Sequence, residues 1–195
     1  YCSLFKLSQR NSCRNQKDRG IEFMKHKILF LLCGPAGSGK TTYVKKEMAQ
    51  ATTYKCVHVS RDEVRAEFLN EDDKNIFKYE DDVFDEFCNR IKNALNEATE
   101  DIAVFADATH LSEKARNRVL DKLDLDGVDI IPVVFNLPLA QILAQNENRK
   151  GMGRAYVPRG TIRRMFYTFD KPTYNEKYTY KHILIVGDAD KEYVE

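Results

Sequence analysis

Long hydrophobic runs and an excess of charge of either sign are missing from this sequence. Its longest purely apolar run covers only Ile28–Cys33, far fewer than the roughly 20 residues that cross a bilayer. We therefore predict that the chain has no membrane-spanning segment. The 31 Lys and Arg side chains almost balance the 30 Asp and Glu side chains, which leaves a formal net charge of +1. Binding to nucleic acid would therefore have to rest on local basic patches.

Paired cysteine motifs are also missing. The five cysteines contain no CxxC pair, and none is spaced from the four histidines as metal ligands usually are (Cys2, Cys13, Cys33, Cys56 and Cys88). Their number is odd, and we recognise no secretory signal. These features predict reduced thiols and a cytoplasmic protein.

The first 23 residues differ from the rest of the chain. They are polar and basic, do not begin with Met, and carry no acid before Asp18. We predict that residues 1–23 are an extension upstream of a natural start at Met24, and we favour this over an organellar transit peptide. The remainder, residues 24–195, has the length of one domain with its own core.

After Met24, short apolar segments alternate with longer amphipathic ones. Helical spacing is clearest in the apolar residues at 83, 84, 87, 91 and 95. Predicted strands cover residues 28–33, 56–59, 102–106, 130–137 and 182–186. Predicted helices cover residues 40–50, 79–99, 112–123, 138–149 and 158–169, with a further short helix from residue 61. Such alternation predicts an α/β domain with a parallel sheet that has helices on both faces.

The segment GPAGSGKT fits the phosphate-loop motif G-x-x-x-x-G-K-[ST] in full and stands between a predicted strand and a predicted helix. Backbone N–H groups in such a loop surround phosphate oxygens at a helix N-terminus. Lys40 should reach the β- and γ-phosphates, and the Thr41 hydroxyl should bind Mg²⁺. An empty glycine-rich turn is the less favoured alternative. Within and next to this loop, the predicted ATP-binding residues are Gly34, Pro35, Ala36, Gly37, Ser38, Gly39, Lys40, Thr41 and Thr42.

A second polar group follows the strand at 56–59, in the sequence SRDEVR. Ser60 and Glu63 fit a capping box that would begin a helix. Asp62 and Arg65 lie one turn apart and are not needed for the cap. Asp62 could accept the proton of an alcohol that receives the phosphate, and Arg65 could hold an acceptor phosphate or simply pair with Asp62.

Asp107 ends the third predicted strand, after four apolar residues. The carboxyl ends of parallel strands meet at one edge of a sheet, so Asp107 should face the phosphate loop. It could lie near Mg²⁺ and its waters. Alternatively, amides of the turn that follows could satisfy its carboxylate, and the sequence does not decide between the two roles.

A basic, glycine-containing segment lies between the last two predicted helices. Arginines on a mobile loop could close over a triphosphate and neutralise charge that develops during transfer. We favour this lid role for Arg149 and Arg154 over an ordinary solvated surface. By contrast, residues 71–86 carry eight acids, which should repel polyanions. The basic residues are Arg149, Lys150, Arg154, Arg159, Arg163 and Arg164.

With these motifs in order, the chain resembles P-loop kinases of the polynucleotide 5′-hydroxyl kinase type. The resemblance rests on GPAGSGKTT, SRDEVR, VFADATHLSEKAR, the segment from Asn146 to Met165, and FDKPTYNEKYTYKHILIV. It implies a P-loop NTPase fold with five parallel strands in the order 2-3-1-4-5 and a basic lid. It also implies ATP and Mg²⁺ as cofactors, Asp62 as general base, catalytic roles for Lys40, Arg65 and Arg149, and metal roles for Thr41 and Asp107.

Two positions depart from the family pattern. Gln145 replaces the first lid arginine, and Arg154 could substitute for it; His110 stands where relatives often have Asn. These differences concern the lid and the substrate more than the kinase fold.

The function implied is transfer of the γ-phosphate of ATP to the 5′-hydroxyl end of RNA or DNA, as in end healing and repair. The alternatives are a kinase of a small molecule or sugar nucleotide, and a nucleotide-binding switch without a transfer reaction. The sequence leaves open whether a partner chain supplies a phosphatase or a ligase.

Overall fold

The computed structural model describes residues 25–70, 75, 77–151 and 156–187. Within them, the strands are β1 (Lys27–Cys33), β2 (Lys55–Ser60), β3 (Ile102–Asp107), β4 (Val128–Asn136) and β5 (Leu184–Gly187). The helices are α1 (Lys40–Gln50), α2 (Arg61–Phe68), α3 (Glu80–Asn96), α4 (Glu113–Leu120), α5 (Leu139–Glu147) and α6 (Arg159–Tyr167), with a 3₁₀ turn at Asn148–Gly151 after α5.

All five strands are parallel, and their order is β2-β3-β1-β4-β5. The predicted fold and strand order are therefore confirmed. In the register, Asp107 lies opposite both Leu32 of β1 and Ser60 of β2. The phosphate loop, the start of α2 and the end of β3 consequently meet at one edge of the sheet.

Helices cover both faces of the sheet. In β1, Leu29, Leu31 and Cys33 pack in one core cluster, while the alternating residues Ile28, Phe30 and Leu32 pack in the other. Strands buried on both sides read as continuous apolar runs, which explains the sequence of β1. All five apolar residues predicted along α3 are buried: Val83, Phe84, Phe87, Ile91 and Leu95. The last four belong to the cluster that contains Leu29, Leu31 and Cys33.

Ser60 begins α2 as predicted, and Ser112 begins α4 in the same way. Ser60 Oγ accepts a hydrogen bond from Glu63 N at 3.3 Å, and Ser112 Oγ accepts one from Ala115 N at 3.2 Å.

Several helices end earlier than their periodicity predicts. The segment predicted as helix 138–149 is α-helical only to Glu147 and then tightens into the 3₁₀ turn. Helix ends commonly tighten in this way, because the last carbonyls lack partners further along the helix.

None of the helices within the described ranges is long and apolar enough to cross a membrane. In the same ranges, Cys33, Cys56 and Cys88 are free thiols. The predicted extension 1–23 and the predicted nucleotide ligand Arg154 lie outside the described residues.

A buried ion pair joins α4 to the segment before β5. The fully buried guanidinium of Arg116 donates from Nε to Glu176 Oε2 at 3.0 Å and from Nη1 to Asp170 O at 2.8 Å. Tyr180 also donates to Glu176 Oε2, at 2.6 Å. Sequence reasoning did not identify this pair, because its members are 60 positions apart.

Replacing Arg116 with Met should lower the free energy of unfolding by about 3–5 kcal/mol, because it leaves the Glu176 carboxylate buried without its cation. Urea denaturation measures the change. The control is Lys122→Ala, which breaks the exposed ion pair with Asp85 (3.0 Å) and should cost less than about 1 kcal/mol. Equal losses in the two variants would contradict a special role for the buried pair.

Candidate active site

The phosphate loop wraps the N-terminus of α1 and packs against α5. Gly37 has a φ angle of 86°, in the left-handed region that glycine tolerates. A Cβ atom there would lie 3.2 Å from Ile142 O and 3.3 Å from the Cβ of Asn146. Glycine is therefore needed both for the backbone angle and for the close approach of α5. Each residue predicted to bind ATP, from Gly34 to Thr42, lies in this loop or in the first turn of α1.

The ammonium group of Lys40 is buried against the phosphate loop and contacts the backbone of that loop. Nζ donates to Pro35 O at 2.8 Å and to Gly34 O at 3.0 Å, and the residue is only 8% exposed. Burial lowers the pKa of Lys40 to about 8, against the opposing effects of the Asp107 and Asp62 carboxylates. The charge of Arg149 also acts to lower this pKa. Lys40, Asp62, Asp107 and Arg149 therefore share one electrostatic environment.

This lowered pKa predicts that nucleotide affinity depends on pH. Below about pH 8 the Lys40 ammonium is already charged and can meet a phosphate directly. Above that pH it must first take up a proton, so the affinity for ADP should fall by up to about tenfold per pH unit. Calorimetric titrations of ADP at several pH values measure the slope.

The matched control is Lys40→Met, in which the slope between pH 8 and 9.5 should vanish. A slope that persists unchanged in this variant would assign the pH dependence to another group.

Asp107 is almost completely buried at the end of β3, and its Oδ2 accepts hydrogen bonds from two side chains. Thr41 Oγ1 donates to it at 2.7 Å, and His58 Nε2 lies 3.1 Å from it. Burial alone would raise the pKa of Asp107, but the bonds from His58 and Thr41 and the charge of Lys40 lower it overall. The carboxylate is thus kept ionised beside the phosphate loop. The two side chains that bond Oδ2 distinguish this arrangement from a carboxylate held by turn amides.

The donor set around Asp107 suits Mg²⁺. Mg²⁺ prefers oxygen ligands and usually keeps several waters, with only one or two protein groups and the substrate phosphates completing its octahedron. A hydroxyl and a carboxylate meet here, at Thr41 and Asp107. Among the described residues, no group of three or more His, Cys, Asp or Glu side chains could hold a metal alone. A metal at this site would therefore need phosphate oxygens as well, as Mg²⁺ bound with a nucleotide does.

Asp62 lies in the first turn of α2 with its side chain 89% exposed. Arg65 Nη1 pairs with Asp62 Oδ1, and Arg65 also donates from Nε and Nη2 to Glu80 at 3.1 Å in each case. Arg61 adds an ion pair to the same Glu80 carboxylate at 2.5 Å. The pairing of Arg65 with Asp62, one of the two predicted alternatives, is thus present. Sequence reasoning did not foresee Glu80, which holds Arg65 in place from α3.

The acidic segment at 71–86 is partly neutralised where the structure describes it. Besides Glu80, three of its acids are paired with basic side chains: Asp81 with Arg118 at 3.3 Å, Asp85 with Lys122 at 3.0 Å, and Glu86 with Arg90 at 2.7 Å. The expected repulsion of polyanions is therefore weaker than the sequence composition indicates. Residues 71–74 of this segment are outside the described residues.

The base of the predicted lid follows α5. Asn146 is fully buried, donates from Nδ2 to Val157 O at 2.8 Å and accepts from Val157 N at 3.2 Å. These two hydrogen bonds connect the end of α5 to the backbone just before α6, next to Gly37 of the phosphate loop. Arg149 lies in the 3₁₀ turn, half-buried. Arg149 lies close enough to Lys40 for its charge to act on the pKa of that residue.

The family comparison agrees with this geometry. Residues 29–172 match the model of a family described as an AAA domain. The chain belongs to this family. Its architecture is that of the P-loop kinases, as the resemblance predicted. Among curated proteins, no relative matches the sequence.

Three solved structures illustrate the fold. A chain of the Pnkp1/Rnl/Hen1 RNA repair complex superposes with a TM-score of 0.61 at 18% identity, over 78% of this chain and 47% of that one. A fungal RNA kinase gives a TM-score of 0.57 at 12% identity, over 86% and 80% of the two chains. Kti12 from Chaetomium thermophilum, in complex with ADP-AlF₃, gives 0.58 at 16% identity, over 84% and 91%.

The present chain therefore corresponds to only about half of the length of the matched chain in the RNA repair complex. At these identities the likeness establishes the P-loop kinase fold and leaves the acceptor of the phosphate to be inferred from the site itself.

Proposed function

We propose that this AAA domain transfers the γ-phosphate of ATP to the 5′-hydroxyl end of a polynucleotide. The observation that carries the proposal is the placement of Asp62. This exposed carboxylate is held by Arg65 at the edge of the sheet where the phosphate loop ends, close enough to act on the charge of Lys40.

The nucleotide would lie with its phosphates on the loop from Gly34 to Thr41. Backbone N–H groups and the dipole of α1 favour negative charge there. Lys40 would exchange its present bonds to Gly34 O and Pro35 O for phosphate oxygens, which removes the cost of keeping an ammonium buried with only carbonyl partners. Arg149 would approach the same phosphates from the lid base.

Thr41 and Asp107 would hold Mg²⁺ together with the β- and γ-phosphates and water. When bound, Mg²⁺ neutralises charge on the phosphates during transfer. The Asp107 carboxylate is prepared for this role because its Oδ2 is already oriented by two hydrogen bonds.

The acceptor would approach over the start of α2. Asp62 takes the proton of the 5′-hydroxyl as the new O–P bond forms and the bond from the γ-phosphorus to the bridging oxygen of ADP breaks. Arg65 positions Asp62 and is itself fixed by Glu80. Two structures with this fold are an RNA repair complex and a fungal RNA kinase, which supports a polynucleotide as the acceptor.

The test uses γ-labelled ATP, Mg²⁺ and matched oligonucleotides that end in a 5′-hydroxyl or a 5′-phosphate, in RNA and DNA forms. We expect label on the 5′-hydroxyl ends only. A parallel reaction offers sugars and nucleosides in place of the oligonucleotides.

Label found on a small molecule, with none on oligonucleotides, would overturn the acceptor and leave a kinase of small molecules. Binding of ATP without label on any acceptor would overturn the transfer reaction itself and favour a nucleotide-binding switch.

A further inference from the structure

His58 stands out because it contacts Asp107 although no sequence motif includes it. It belongs to β2, the edge strand of the sheet, and lies opposite Phe105 in the register, while Ser60 lies opposite Asp107. Residues two apart on a strand face the same side of a sheet. His58 therefore lies on the same side as Ser60, and its ring reaches the Asp107 carboxylate near the end of the neighbouring strand.

The contact has the geometry of a directed hydrogen bond. His58 Nε2 lies 3.1 Å from Asp107 Oδ2, and both side chains are largely buried, at 11% and 6% exposure. An ionised carboxylate can only accept, so Nε2 must carry the hydrogen. Thr41 Oγ1 donates to the same oxygen at 2.7 Å. Asp107 is thus held from two sides, by α1 through Thr41 and by β2 through His58.

These two hydrogen bonds differ in whether the side chain that donates is itself a predicted metal ligand. The Thr41 hydroxyl is itself the predicted metal ligand, and it can offer a lone pair to the metal while its hydrogen still bonds Asp107. His58 comes from the edge strand β2 and is not among the predicted metal ligands, so its bond to Asp107 does not involve the metal. His58 can therefore orient Asp107 without itself binding the metal.

We propose that His58 is a positioning residue that sets the orientation of Asp107 and thereby the affinity of the nucleotide-bound site for divalent metal. This inference rests on the metal role proposed above for Asp107. Groups that hydrogen-bond a metal-binding carboxylate from outside typically contribute 10- to 100-fold in metal affinity. His58 would act through Asp107 alone, without touching the nucleotide or the acceptor.

The experiment measures binding of Mn²⁺ to the ADP complex of the full chain by electron paramagnetic resonance. In His58→Leu we expect the affinity for Mn²⁺ to fall by about 10- to 100-fold, because the leucine fills the space without donating. In His58→Gln the side-chain amide can donate to the same oxygen, so most of the affinity should remain. The affinity for ADP in EDTA should be the same in all three proteins.

Asp107→Asn separates this inference from the metal role on which it rests. If Asp107→Asn binds Mn²⁺ as the unmodified chain does, the metal role of Asp107 is wrong. If Asp107→Asn loses affinity but His58→Leu does not, the inference about His58 alone is wrong.

Equal losses in His58→Leu and His58→Gln, or a parallel loss of ADP affinity in EDTA, would show a merely structural role and would also overturn the inference. Should His58→Leu fail to fold, His58→Asn takes its place, since its shorter amide does not span the distance that the imidazole covers.

Discussion

Asp62→Asn is expected to lower the rate of phosphoryl transfer by about 10²- to 10⁴-fold, the range for loss of a general base. The amide has nearly the shape of the carboxylate but cannot accept the proton of the acceptor hydroxyl. Affinity for ADP should stay close to that of the unmodified chain, because in the proposed mechanism Asp62 acts on the acceptor hydroxyl and not on ADP. Single-turnover transfer of label from ATP to an oligonucleotide measures the rate, and calorimetry measures the affinity.

Glu63→Gln is the matched control. Glu63 is the next residue in the same first turn of α2 and is exposed. Both substitutions remove one negative charge from the helix N-terminus, which costs about 0.3–1 kcal/mol of stability in either case. Only Asp62→Asn should slow transfer. A similar loss of rate in both variants would assign the effect to the helix start and would remove the evidence for a general base.

Lys40→Met should have a still larger effect, with transfer lowered by about 10³- to 10⁵-fold, the range for a cation that neutralises the transferring phosphoryl group. Methionine preserves the length and most of the packing of a residue that is only 8% exposed. The fold should therefore be kept. Since burial disfavours the ammonium in the free protein, the melting temperature without nucleotide should be unchanged or higher.

Lys45→Met provides the control for Lys40→Met. Lys45 lies five residues further along α1 and is exposed, so its loss should affect neither transfer nor nucleotide binding. Transfer that survives in Lys40→Met would show that the lysine of the loop has no catalytic role. Loss of transfer together with a lowered melting temperature would indicate damage to the fold instead.

Sequence patterns predicted the fold well because the decisive signals are local. The phosphate loop is a single run of residues whose glycines meet backbone requirements, and Ser60 and Ser112 begin helices through bonds to residues three positions away. The apolar stripe of α3 follows the helical period and is buried in full. The predicted boundaries were less accurate at helix ends, because the pattern of apolar residues continues beyond the last regular helical hydrogen bond.

The sequence by itself also predicted that two carboxylates reach the edge of the sheet beside the phosphate loop. Asp107 ends a strand next to β1, and Asp62 follows a strand beside that one, so parallel pairing brings both carboxylates to the edge that holds the phosphate loop. Their order along the chain and the rule for parallel sheets were enough for this prediction.

Only the tertiary structure decided which partners hold those groups. His58 meets Asp107 across 49 positions, Glu80 holds Arg65 across 15, and Arg116 pairs with Glu176 across 60. Each pairing depends on how one element packs against another, and no local propensity encodes the direction in which a charged side chain turns. The physical reason is that a buried charge takes whichever partner the packed core brings within hydrogen-bond distance.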